Sequence, residues 1–113
     1  MSSCVLSRIN KKIKDSSVLV FLKGTRETPQ CRFSIKIIEI MDNIGVECNY
    51  VDVLQSDELR DGLKKYSDWP TFPQLYIMGE FIGGCDIVTE MYRTGELQRY
   101  MHQLNIIEST NSK

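Results

Sequence analysis

Apolar residues fall in short blocks along this chain, and their spacing predicts the elements. Val5, Leu6, Ile9 and Ile13 recur at helical intervals and predict a helix over residues 3–15. Val18-Leu19-Val20-Phe21-Leu22 is an unbroken apolar run, which predicts a buried strand over 18–23. A loop at 24–30, holding Gly24 and Pro29, follows it. Phe33, Ile37, Ile40, Met41 and Ile44 then share one face of a predicted helix over 31–44, which Gly45 ends. Residues 47–53 read as a second strand, and 57–66 as a short helix with Asp57 as its N-cap. An irregular segment, Ser67 to Pro73, leads to a strand from Gln74 to Met78, a turn at Gly79-Glu80 and a short strand at Phe81-Ile82. One or two closing helices are expected to about residue 104, and a loose Ser/Thr/Asn-rich tail from Glu108. The expected organisation is one domain over 1–107 and a flexible tail over 108–113. A β-α-β unit followed by a β-hairpin and a helix predicts a three-layer α/β fold with a mixed sheet.

Composition narrows the function. A chain of 113 residues, 42% hydrophobic and 26% charged, fits one globular domain with a core of its own. Fourteen basic residues against fifteen acidic leave a net charge of −1, with no basic field for nucleic acid or an anionic membrane. No apolar run has the length of a membrane span, and Met1 to Arg8 lacks the apolar block of a signal peptide. The four cysteines, Cys4, Cys31, Cys48 and Cys85, match no zinc spacing and are few for a disulfide scaffold. An intracellular reducing compartment, cytoplasm or mitochondrial matrix, is therefore expected. Cys48 reads as a small packing residue in its strand. Cys4 reads as an exposed bystander and His102 as an ordinary surface residue.

Cys31 stands apart, because it falls where the loop meets a helix start. Exposed backbone N–H groups and the helix dipole favour a thiolate there, as does a nearby lysine. Three residues on, where a dithiol redox motif has its second cysteine, this chain has Ser34. The nucleophile is present and its internal resolving partner is not.

Five segments in register then resemble one family. They are Lys23-Gly24-Thr25, Cys31 with Phe33-Ser34, Arg60 to Tyr66, Trp69 to Tyr76, and Gly83 to Val88. Over residues 15–101 the chain resembles a monothiol glutaredoxin, whose signature is C-G-F-S. The glycine of that signature is Arg32 here, and Arg26 stands where a proline is usual.

The resemblance implies a thioredoxin-like fold with a central mixed four-stranded sheet flanked by helices. It also implies a glutathione site. Lys23 and Arg60, with Lys64 four residues on, suit the glycyl carboxylate. Thr71-Phe72-Pro73 resembles a cis-proline loop that presents the Phe72 backbone to the cysteinyl unit. Gly84, Cys85 and Asp86 suit the γ-glutamyl carboxylate and ammonium at a helix start. Phe33 would lie beside the thiol Cys31. Taken one at a time, Lys23, Arg60 and Lys64 read as solvated surface charges, Asp86 as a helix cap, and Trp69 as a core aromatic.

Two functions follow from the resemblance. In the first, Cys31 is the one protein ligand of a 2Fe–2S cluster, completed by two glutathiones and a second copy of the chain. That implies a homodimer when loaded, a monomer otherwise, and iron–sulfur recipient proteins as partners. In the second, the chain is at most a weak glutathione-dependent thiol–disulfide oxidoreductase acting through Cys31. The extended loop Thr25 to Gln30, as in the family, accompanies cluster work. A domain of a larger thioredoxin–glutaredoxin chain is a third possibility.

Overall fold

A computed structural model describes residues 3–107. The expected tail, 108–113, lies outside the described residues. Helix α1, Ser3–Lys14, buries Val5, Ile9 and Ile13, one per turn, while Leu6 points outward. Strand β1, Val18–Leu22, is buried at all five positions because it lies inside the sheet. Helix α2, Arg32–Ile44, stops at Gly45, whose left-handed φ of 80° lets its N–H reach the carbonyls of Asp42 and Met41.

Strand β2, Asn49–Asp52, is shorter than expected. Its parallel ladder with β1 begins at the Leu19–Asn49 pair, and residues 47 and 48 lie outside that ladder. Val53, expected as the strand's last residue, instead opens a 3-10 turn, Val53–Gln55, capped by the Asp52 carboxylate. Helix α3, Asp57–Ser67, is capped by the Ser56 hydroxyl, which accepts from Leu59 N–H, and not by Asp57.

Strands β3, Gln74–Ile77, and β4, Glu80–Gly83, form the hairpin. Its turn is Met78-Gly79, one residue earlier than expected, with φ of 50° and 84°. Two positive φ values in a two-residue loop match the twist of the flanking strands. Helices α4, Cys85–Thr94, and α5, Glu96–Gln103, close the fold.

The sheet order is β2-β1-β3-β4, with β2 parallel to β1 and β3 and β4 antiparallel to their neighbours. Alternate β1 residues face opposite layers. Val18, Val20 and Leu22 pack with Ile37, Met41, Val88 and Leu97 from α2, α4 and α5. Leu19 and Phe21 pack with Val5, Ile9, Leu63 and Tyr76, under α1 and α3. This is the expected thioredoxin-like three-layer fold around a mixed four-stranded sheet. It brings the C-terminal end of β1 beside the starts of α2 and α4.

Candidate functional site

The loop leaving β1 is tied to itself and to its surroundings. Gln30 N–H donates to the Lys23 carbonyl at 2.9 Å, and Thr28 N–H to the Thr25 hydroxyl at 2.9 Å. Gly24 has φ of 95°, and a Cβ there would lie 2.6 Å from the Gln30 nitrogen and the Thr28 carbonyl, so the turn requires glycine. Asp52 anchors the loop to β2 by accepting from Gly24 N–H at 2.9 Å. Arg26 anchors it to α2 through a 2.6 Å ion pair with Asp42, and its guanidinium lies 6.0 Å from the Tyr50 ring.

This anchored loop delivers Cys31 as the N-cap residue of α2, with extended φ and ψ of −149° and 135°. Its carbonyl accepts from Ile35 N–H, while its half-buried thiol has no hydrogen-bond partner among the described residues. Ser34 does more than stand in for a cysteine. It is fully buried, and its hydroxyl accepts from Lys23 N–H at 3.2 Å, closing the joint between β1 and α2.

The second wall is the segment before β3. The Phe72-Pro73 bond is cis, as expected. The Phe72 ring is buried in the α1/α3 layer, while its backbone has no hydrogen-bond partner among the described residues. Gln74, buried on β3, holds this segment from behind: its amide donates to the carbonyls of Trp69 and Thr71, and its oxygen accepts from Tyr76. Trp69 is half-buried against the groove, not inside the core as expected, because Phe81 backs its ring at 5.7 Å and Gly84 closes its edge. A Cβ at Gly84 would lie 3.0 Å from Trp69 Nε1, a nitrogen that is buried without a partner. Gly84 therefore makes room for the indole as well as starting α4.

The third wall is the start of α4, with Cys85, Asp86 and Ile87. Cys85 Sγ lies 3.9 Å from the Thr89 hydroxyl. Burial pushes the Cys85 thiol up most, opposed by the Thr89 hydroxyl and Lys36 and reinforced by Asp86 and Cys31.

Together these walls enclose a groove of about 420 Å³. Of the residues singled out from the sequence, Lys23, Cys31, Phe33, Thr71, Phe72, Gly84, Cys85 and Asp86 line it. Phe33 was expected on the core face of α2; it is 45% exposed instead, because the first turn projects past the packed layer into the groove. Pro73 is buried behind the lining. Arg60 and Lys64 do not line the groove. Arg60 turns to its own helix and pairs with Asp57 at 2.9 Å and Asp61 at 3.9 Å. Sequence reasoning missed Trp69 and Ile87 as lining and Gln74 and Asp52 as supports. The legible signal was Gln74, a lone amide opening an apolar strand.

Residues 18–82 match the glutaredoxin family. A probable monothiol glutaredoxin of Rickettsia felis is 50% identical over 93 residues, covering 82% of this chain and 89% of the relative. The chain belongs to the monothiol glutaredoxins. Among solved structures, reduced apo GrxS14 of poplar superposes with a TM-score of 0.78 at 44% identity, covering 88% of this glutaredoxin and 91% of that chain. A monomeric truncated mutant of Trypanosoma brucei 1-C-Grx1 gives 0.83 at 38% identity, covering 91% and 94%. No helix of this glutaredoxin, over the described residues, is long and apolar enough to cross a membrane.

Proposed function

We propose that this glutaredoxin binds glutathione in the Cys31 groove and holds a 2Fe–2S cluster between two copies of the chain, for transfer to recipient proteins. One observation carries the reading: an unbonded thiol opens onto a groove lined by a cation, Lys23, an anion, Asp86, and the unpaired backbone of Phe72. Glutathione offers the complement of each. A carboxylate pairs with Lys23, the ammonium with Asp86, and its peptide groups with the Phe72 backbone as an added strand would. Its thiol then has Cys31 as neighbour.

The donor chemistry fits a cluster on stated terms. Among the described residues no group of three or more His, Cys, Asp or Glu is placed to hold a metal ion. A 2Fe–2S cluster needs four ligands, usually thiolates. Cys31 supplies one per chain, and two glutathiones supply the others when two copies meet. Bound there, the cluster would supply a thiolate-ligated, exchangeable iron–sulfur unit. Lys23 and Asp86 fix the glutathione, and Ser34 fixes the Cys31 turn. Calorimetric titration with glutathione tests the groove: Lys23→Ala and Asp86→Ala each weaken binding, and unchanged affinity in both removes the assignment.

A second reading has its own observation, the burial of Ser34. No group at position 34 can resolve a disulfide on Cys31. In this reading the Cys31 thiolate attacks the glutathione sulfur of a mixed disulfide, and the partner leaves as its thiolate. A second glutathione thiolate then attacks the glutathione sulfur held on Cys31, forming oxidised glutathione and restoring Cys31. Single-turnover mass spectrometry would catch the Cys31–glutathione adduct; transfer of glutathione to another cysteine instead would contradict it.

A further inference from the structure

The arginines of this chain are treated unequally. Arg8, Arg26, Arg60 and Arg93 each lie within 4.0 Å of a carboxylate. Arg32, next to the nucleophile, and Arg99, on α5 away from it, pair with none among the described residues. The Arg32 guanidinium lies over the Phe33 ring, 5.2 Å from the centroid. That stack holds a flat cation at the mouth of the groove, since Phe33 itself lines it and is 45% exposed. Arg32 also occupies the first turn of α2, where the macrodipole disfavours a cation. Beyond the Phe33 stack, no contact among the described residues offsets that placement, and an incoming anion would. Lys36, one turn further and exposed, is also without an ion pair among the described residues. Its charge opposes the upward push that burial gives the Cys85 thiol. Ile87, 40% exposed, adds an apolar edge to the same mouth.

Glutathione, in the reading above, uses Lys23 and Asp86. Arg32 directly follows Cys31 and is exposed outside the groove lining, so that reading leaves its charge uncommitted. We infer that Arg32, held on Phe33 and seconded by Lys36, selects protein partners that present a carboxylate beside the cysteine that exchanges with Cys31. The partner surface is an acidic segment flanking a glutathionylated cysteine. The inference rests on the exchange reading of Cys31. In the exchange, glutathione passes from the partner sulfur to Cys31 and the partner leaves as a thiolate; Arg32 and Lys36 act on encounter, before any bond changes.

The test uses the full chain with excess glutathione and three glutathionylated peptides of equal length. Their cysteine is flanked by aspartate and glutamate, by serine and glycine, or by lysine. At low salt the acidic peptide is expected to be deglutathionylated about fivefold faster than the neutral one, and the lysine peptide more slowly than both. The spread closes at about 0.5 M salt, as screening of exposed charges requires. Arg32→Gly narrows the spread and Arg32→Glu reverses its order; the position is exposed, and the melting temperature checks that the fold survives. Equal rates for the three peptides at low salt overturn the inference while the exchange reading stands. An unchanged order in Arg32→Glu removes Arg32 as its cause. No exchange with any peptide overturns the inference and the exchange reading together.

Discussion

Two grooves of similar size flank the loop after β1, and each contains a cysteine. The Cys31 groove measures about 420 Å³ and the Cys48 groove about 460 Å³. Both have a cation and an anion in or beside their lining, Lys23 and Asp86 in the first, Arg26 and Asp52 in the second. Their chemistry is opposite. Cys31 stands at a helix start with its thiol unbonded, and the charges around it are open to a ligand. Cys48 packs against the core at the entrance to β2, and burial pushes its thiol up to about 12. Two of the second groove's charges are already spent: Arg26 is bound to Asp42 and Asp52 holds Gly24 and Leu54 N–H groups, which leaves the exposed carboxylate of Glu27. Volume does not make a site; unsatisfied groups around a solvated nucleophile do.

The sharpest way to break that contrast is to exchange the thiols' fates. Cys31→Ser is expected to abolish glutathione exchange, a loss of at least about a hundredfold, while Cys48→Ser and Cys4→Ser keep it. Rates of alkylation by iodoacetamide, read per cysteine by mass spectrometry, check the same ranking, with Cys31 first and Cys48 last. A Cys48 that alkylates as fast as Cys31 ends the comparison.

Supports come next. Ser34→Ala leaves the Lys23 N–H buried without an acceptor, and should cost about 1–3 kcal/mol in urea unfolding. Gln74→Leu removes three hydrogen bonds behind the cis-proline segment, leaves two carbonyls unanswered, and should cost a similar amount. It should also weaken glutathione binding several-fold, which Ser34→Ala alone need not do. Calorimetry with both variants separates the two supports.

The two basic residues expected at the glycyl carboxylate sharpen the comparison further. Lys23→Ala should lose about 1.5–3 kcal/mol of glutathione affinity, the worth of a charge-assisted hydrogen bond. Arg60→Ala should lose less than about 1 kcal/mol, because its guanidinium is engaged by Asp57 and Asp61 outside the groove. Equal losses in the two would mean that Arg60 leaves those partners to reach the ligand.

The smallest effect is in pH dependence. The Cys48 thiol holds its proton more tightly folded than unfolded, so its contribution is intact below pH 9.0. Above that, the unfolded chain ionises first, and stability falls as pH rises towards about 12. Tyr50, raised chiefly by burial and by Cys48, acts in the same direction. Cys48→Ala should flatten the alkaline limb of a stability-against-pH curve and leave the limb below pH 9.0 unchanged.

How much was legible in the sequence follows from the same physics. β1 was clear because an unbroken apolar run has only one place to go, the middle of a sheet. The Cys31 position was clear because a helix start follows a loop there. Phe33 was placed beside Cys31 by the motif resemblance and not by periodicity, which gives a helix face but not how far the helix overhangs its layer. Arg60 was misplaced for a related reason. Asp57 lies three residues before it, within reach on the same helix surface, and the motif resemblance outweighed that local pair. Gln74 and Asp52 act through backbone groups of distant loops, and no local pattern shows which loop a buried amide or carboxylate will meet.

The central claim is that Cys31 and groove-bound glutathione together hold a cluster between two chains. Anaerobic reconstitution with iron and sulfide, with and without glutathione, followed by sedimentation with visible-absorbance detection, tests it most directly. A coloured dimer only when glutathione is present, lost in Cys31→Ser, is the expected result. Colour that forms without glutathione, or that persists in Cys31→Ser, would contradict it.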